Sequence, residues 1–221
     1  MGESHEREQF FSKVKLLAGI TLLSRVLGLV RDMVIVPLGG DRLADRFLTA
    51  FSIPNLLRRL FGEGALSAAF VPVFTQVAEA EGWGRARLVL ANVAGLLAVL
   101  LAGIVLLTWA GLGAAWWAWG GGPLRALLLR LVALMMPFPI TICLLALAAA
   151  ALNCRGHFAY PAFAPVLLNV ALIVAGVWVA PALARDVAGQ FHVLAIALVL
   201  AGVVQLVGVV WMLRAAGLAV V

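Results

Sequence analysis

The chain has 221 residues, 65% of them hydrophobic and only 12% charged, with a mean hydropathy of +1.12. A water-soluble domain of this length keeps too much of its surface wet to hide so much apolar material, which excludes a soluble enzyme or binding domain and makes lipid the solvent. The formal charge of +6 does not point to nucleic acid, because no basic stripe with interleaved aromatics accompanies it; basic residues that set topology at membrane edges account for it instead.

Long runs rich in Ala, Leu, Val and Gly, without alternation, predict an all-α integral membrane protein rather than a barrel. Residues 1–12 read as a cytoplasmic tail. Glu3, Glu6 and Glu8 precede Lys13 and no small-residue cleavage site follows the run 14–23, so a retained first helix is expected, not a signal peptide. Spans are predicted at 13–38, 43–78, 88–112, 124–152, 162–183 and 193–213, forming a six-helix lobe over 13–214 with 215–221 as its C-terminal end. Each of the last four reaches the ~20 residues that cross ~30 Å of hydrocarbon. The second would run roughly 54 Å as a straight helix, and its Pro54, Gly62, Gly64 and Pro72 predict a break or bend. Pro137 and Pro139 predict a kink in the fourth. Small residues four apart, Ala91/Gly95 and Ala98/Ala102, fit close helix approach or coincidence equally well.

With six spans both termini share one side. That side holds Arg7, Lys13, Lys15, Arg85, Arg87, Arg155 and Arg214, against Arg42, Arg46, Arg125 and Arg185 opposite, so both termini are expected in the cytoplasm. Trp109, Trp116, Trp117 and Trp119 then crowd the outer end of spans three and four, where an aromatic belt belongs.

Seven charged residues fall inside the drawn spans, away from their ends: Arg25, Arg31, Asp32, Arg58, Arg59, Glu63 and Arg130. Each costs about 2.5–3.5 kcal/mol at the centre of a lipid-facing helix. Six of them lie in spans one and two, so those side chains must face one another or a wet cavity. Arg59 and Glu63, four apart, could pair on one helix face, but four arginines against two acids leave a surplus. Planar guanidiniums in excess suit a diphosphate, whose oxygens they bind in bidentate fashion. A self-neutralised buried network is the alternative. Arg130 fits either a site residue or one snorkelling to the interface, and Asn55 and Asn169 fit interhelical glue. Cys143 and Cys154 form no framework, and His5, His157 and His192 have no metal-ligand spacing. No nucleophile–base pair is present, so neither an enzyme nor a cofactor is expected.

Three stretches carry a resemblance. These are Ser24-Arg-Val-Leu-Gly-Leu-Val-Arg-Asp32; Phe51-Ser-Ile-Pro-Asn-Leu-Leu-Arg-Arg-Leu-Phe-Gly-Glu-Gly-Ala65 with Phe70-Val-Pro72; and Ala151-Leu-Asn with Pro161-Ala-Phe-Ala-Pro-Val-Leu-Leu-Asn169. Together they resemble the MurJ/MviN lipid II flippases of the multidrug/oligosaccharidyl-lipid/polysaccharide exporter superfamily. The resemblance implies one lobe of a two-lobe, alternating-access transporter of the bacterial inner membrane, carrying an undecaprenyl-diphosphate-linked peptidoglycan precursor outward. It places the family's cavity residues on Arg25, Arg31, Arg58, Glu63 and Asp45, with Arg59 in the same motif. The departures are Arg46 beside Asp45, within Ala44-Asp-Arg-Phe47, and Ser52 where a Lys is common. Family members are longer, so a missing C-terminal lobe or partner chain is expected beside lipid II and membrane lipids. A polysaccharide-lipid flippase or multidrug antiporter lobe, and a non-transporting membrane scaffold, are the other readings.

Overall fold

The computed structural model describes residues 2–63, 65–119 and 122–218, and every regular element among them is helical. Helix α1 spans Gly2–Ile35, and a 3-10 turn at Val36–Gly39 leads into α2, Gly40–Leu57. A π-helical turn, Arg58–Glu63, separates α2 from α3, Ala65–Glu81; α4 spans Trp83–Trp119, α5 Pro123–Met135 and α6 Phe138–Cys154. Helix α7, Ala159–Val174, continues through a second π-helical turn at Ala175–Val179 into α8, Ala180–Leu183, and α9 covers Val187–Ala215.

The interruption expected between Pro54 and Gly64 thus takes the form of a π-helical turn, a local widening that often marks a functional segment. The expected kink at Pro137 takes the form of a two-residue interruption between α5 and α6, at Met136 and Pro137, both of which keep right-handed helical dihedrals. Its cause is visible in the hydrogen bonds. Pro137 has no N–H to offer the Ala133 carbonyl, and Trp109 Nε1–H donates to that oxygen instead, at 2.9 Å. Two helix ends close through left-handed glycines. At Gly156 (φ +80°) the His157 N–H bonds the Leu152 carbonyl and the Gly156 N–H that of Asn153, and Gly217 repeats the arrangement with Leu213 and Arg214. At the other end of α9 the Asp186 carboxylate caps the Gly189 N–H at 2.9 Å.

Stretches 83–118, 123–154, 159–183 and 187–215 are long and apolar enough to cross a membrane. Helix α4 extends past the apolar run 88–112 because nothing between Trp83 and Trp119 breaks it; its 37 residues cover about 55 Å, well over the hydrocarbon thickness. The first two predicted segments, 13–38 and 43–78, mix charges into their apolar runs and are not among these four.

Two hydrophobic clusters organise that packing. One joins α3, α4, the later part of α6 and the end of α9 around Phe74, Leu101, Leu147, Leu152 and Val209. The other joins α2, α5 and the first half of α9 around Phe47, Leu131, Met135, Phe191 and Leu198, with the Phe47 and Phe191 rings 5.2 Å apart. Helices α6 and α9 run through both, and Asn55, Arg58 and Gln205 belong to neither cluster. Helix α9 approaches its neighbours through glycines: a Cβ at Gly202 would meet Thr141 and, at 3.0 Å, the Phe138 ring, and one at Gly208 would collide with Tyr160. Gly95, by contrast, has nothing within 4 Å, so the Ala91/Gly95 spacing carries no close approach there.

A cavity lined by two arginines

Helix α1 packs chiefly on α7. Its less exposed positions, Leu17, Ile20, Ser24, Leu27, Gly28, Arg31, Val34 and Ile35, recur at helical spacing and define one face. Arg31 lies on that face; Arg25, six residues back and thus about a third of a turn round the axis, is exposed. Helix α2 follows the same logic. Ala44, Phe47, Ala50, Pro54 and Asn55 turn inward and Arg58 continues the row, while Asp45 and Arg59 fall off it and are exposed.

The two inward arginines meet at a common cavity of about 400 Å³ between α1, α2, α6, α7 and α9. Arg31, Asn55, Arg58, Asn169 and Gln205 are its polar lining, and the rest of the wall is apolar, including Phe51, Phe138 and Leu168. Among the described residues, no acid lines it. Each guanidinium is held by an asparagine. Arg58 Nε–H donates to Asn55 Oδ1 at 3.0 Å, one turn back on the same face. Arg31 donates to Asn169 Oδ1 at 3.1 Å, and the Asn169 Nδ2 amide donates across to the Ser24 carbonyl at 2.9 Å. Asn169 is therefore both interhelical glue, tying α1 to α7, and the group that aims Arg31. Arg31 also bonds Asp32 twice, at 2.9 and 2.7 Å. That pair is partly open, and it borders an adjoining cavity of about 240 Å³ that shares Arg31 and Phe51 with the first.

Of the six residues expected at the site, Arg31 and Arg58 are brought together. Arg25 and Arg59 do not line the cavity. Asp45 lines a separate one of about 590 Å³ with Arg42 and Arg46. The Glu63 side chain, and with it the expected Arg59–Glu63 pair, lies outside the described residues. Arg130 does not line this cavity; its guanidinium lies 5.7 Å from the Trp116 ring centre. Gln205 also lines the cavity, although it belongs to none of the three motifs. The available signal was its isolation, as the one amide in the apolar run 193–213. Two guanidiniums in an apolar wall can hold paired phosphate oxygens while that wall takes a hydrocarbon or sugar face.

Asn169 offers a direct check on this geometry. Asn169→Ala strips Arg31 of one acceptor and α1 of its cross-tie, and is expected to destabilise the fold by about 1–3 kcal/mol. Amide hydrogen exchange should accelerate in α1 around Ser24–Arg31, while α4, which Asn169 does not touch, keeps its protection. Unchanged exchange in α1 would show that the cross-tie is idle.

Comparison with known proteins follows the same outline. A family model described as lipid II flippase MurJ matches residues 35–221. The chain is 40% identical to the lipid II flippase MurJ of Burkholderia cenocepacia over 177 residues, covering 77% of this chain and 34% of that protein. It is also 40% identical to the probable lipid II flippase MurJ of Vibrio cholerae over 190 residues, covering 79% of this chain and 36% of that one. A solved structure titled lipid II flippase MurJ, inward closed conformation, superposes with a TM-score of 0.69 at 22% identity, covering 89% of this chain and 41% of that chain. The chain spans about a third of the length of these two curated relatives.

Proposed function

The chain belongs to the lipid II flippase MurJ family, and from that premise we propose that it forms one lobe of a transporter moving a lipid-linked diphosphate precursor of the cell wall, lipid II, from the inner to the outer leaflet of a bacterial inner membrane. The observation that carries this reading is the cavity in which Arg31 and Arg58 share a largely apolar wall, with no acid among the described residues that line it. Such a site favours an anion carried on an amphiphile and disfavours a cation, which speaks against a drug–cation antiporter. A self-neutralised scaffold fits less well, since the Arg31–Asp32 pair borders open space instead of a packed interior. The excess of basic residues in the loops on one side supports a reading with both termini in the cytoplasm, and the protein acts as a carrier, not as an enzyme. Alternating access needs a second lobe facing the cavity, as the length of the relatives suggests.

Energetics supply the test. An anion moving outward across an inside-negative membrane runs downhill by ~2.3 kcal/mol per charge per 100 mV. A chimaera of this chain with the remainder of the Burkholderia relative, reconstituted in vesicles with lipid II, is expected to flip its substrate when a potential of that sign is imposed. Flipping should collapse on dissipation of the potential. Transport of equal rate at zero potential would overturn the proposed driving force, and absence of flipping under every condition would overturn the function.

A further inference from the structure

The side-chain carbonyl oxygens that line the cavity belong to Asn55, Asn169 and Gln205. Two of the three are spent on arginine: Asn55 Oδ1 accepts from Arg58 and Asn169 Oδ1 from Arg31. Gln205 is different. It is only 1% exposed, its Nε2–H donates to the Ala164 carbonyl of α7, and its Oε1 accepts from no group among the described residues. The bond to Ala164 fixes the orientation of the amide, since a flipped one would set two oxygens against each other. A buried acceptor without a donor is costly and calls for a partner. In a helix otherwise free of polar side chains through its central run, an aliphatic residue would remove that cost.

We propose that Gln205 is a second recognition point of the cavity, its Oε1 taking a hydrogen bond from a donor on the headgroup beyond the diphosphate, a sugar hydroxyl or an amide N–H. This rests on the diphosphate reading of the two arginines. A bare prenyl diphosphate offers acceptors to the guanidiniums and, when ionised, nothing to Gln205. A diphosphate bearing a sugar–peptide headgroup satisfies both. The guanidiniums thus supply affinity for the charge, and the carboxamide supplies discrimination in favour of the loaded lipid. In this conformation the oxygen has almost no exposed surface, so the headgroup reaches it only as Gln205 gives up its bond to the Ala164 carbonyl. Discrimination is then made at a site that opens only to a ligand able to repay the desolvation.

The chain in nanodiscs, titrated separately with lipid II and with undecaprenyl diphosphate and read by native mass spectrometry, tests this. Gln205→Met keeps the volume and removes the acceptor. It is expected to lower affinity for lipid II about tenfold and to leave undecaprenyl diphosphate within about twofold of the parent, erasing the preference between them. Gln205→Asn, which withdraws the oxygen by one methylene, should act in the same sense. Equal loss of both ligands in both variants makes Gln205 a packing residue and overturns the proposal; loss of neither overturns it too. Failure of the underlying reading looks different: the parent then binds neither diphosphate, or Arg58→Ala leaves both affinities intact, and the Gln205 proposal falls with it.

Discussion

Arg58→Ala is expected to weaken binding of lipid II by roughly 10- to 100-fold, the range that follows from losing charge-assisted hydrogen bonds at a partly buried site. Arg58→Lys should recover only part of this, because an ammonium keeps the charge but not the planar fork that addresses two phosphate oxygens together. Arg59→Ala is the matched control: the same residue type, one position along the same π-helical turn, exposed and outside the cavity lining. A charge-only effect, in which net positive potential attracts the diphosphate from a distance, would weaken both variants alike. A contact effect separates them. The cost to the fold needs its own measurement, since removing Arg58 strands Asn55 Oδ1 and so lowers stability by about 1–3 kcal/mol. Arg58→Ala that remains folded and binds lipid II like the parent would remove the cavity from the mechanism.

That separation of Arg58 from Arg59 marks where sequence reading reaches its limit. The expense of six ionisable residues in two apolar segments is a matter of composition, and it correctly demands a polar interior. Which of them enter it depends on helical phase. Arg25 and Arg31 sit in one motif, yet only Arg31 shares a face with Ser24 and Gly28, and that face becomes visible only once α1 is docked on α7. The π-helical turn starts at Arg58, so the phase of the residues after it departs from a 3.6-residue template. Asn55 and Asn169 were legible as hydrogen-bonding residues but not as the acceptors that aim the guanidiniums, because their partners come from a neighbouring turn in one case and from a helix 138 positions away in the other. Helix order, the break at Pro137 and the resemblance of the motifs were all legible for the opposite reason: each depends on residues close in the chain. The small-residue pattern left close approach and coincidence open at Gly95, because spacing alone does not say which face of a lipid-exposed helix meets a partner; α4 turns that face to open space.

Where glycine does decide the packing, the expected effect is the largest on stability in the chain. Tyr160 on α7 donates its hydroxyl to the Gln205 carbonyl of α9 at 2.9 Å, and its ring end occupies the space that a Cβ on Gly208 would need. In the helix interior, Gly to Ala ordinarily gains about 1 kcal/mol. Here Gly208→Ala must push Tyr160 aside, breaking that bond and prising α7 from α9. Overpacking of about 1–3 kcal/mol adds to the lost hydrogen bond and overwhelms the propensity gain. Gly95→Ala, with open space around it, should keep or slightly raise the melting temperature measured in detergent. The sign therefore reverses between two glycines of equal intrinsic propensity. Gly208→Leu should lower the melting temperature further, because no rearrangement of Tyr160 alone makes room for it. Tyr160→Phe tests the assignment of the clash: removing the hydroxyl that lies nearest the added methyl should make Gly208→Ala less damaging than in the parent, a non-additive coupling between the two sites. If the two substitutions instead sum independently, Tyr160 does not stand where Gly208 admits it, and the α7–α9 seam that carries Gln205 to the cavity is built some other way.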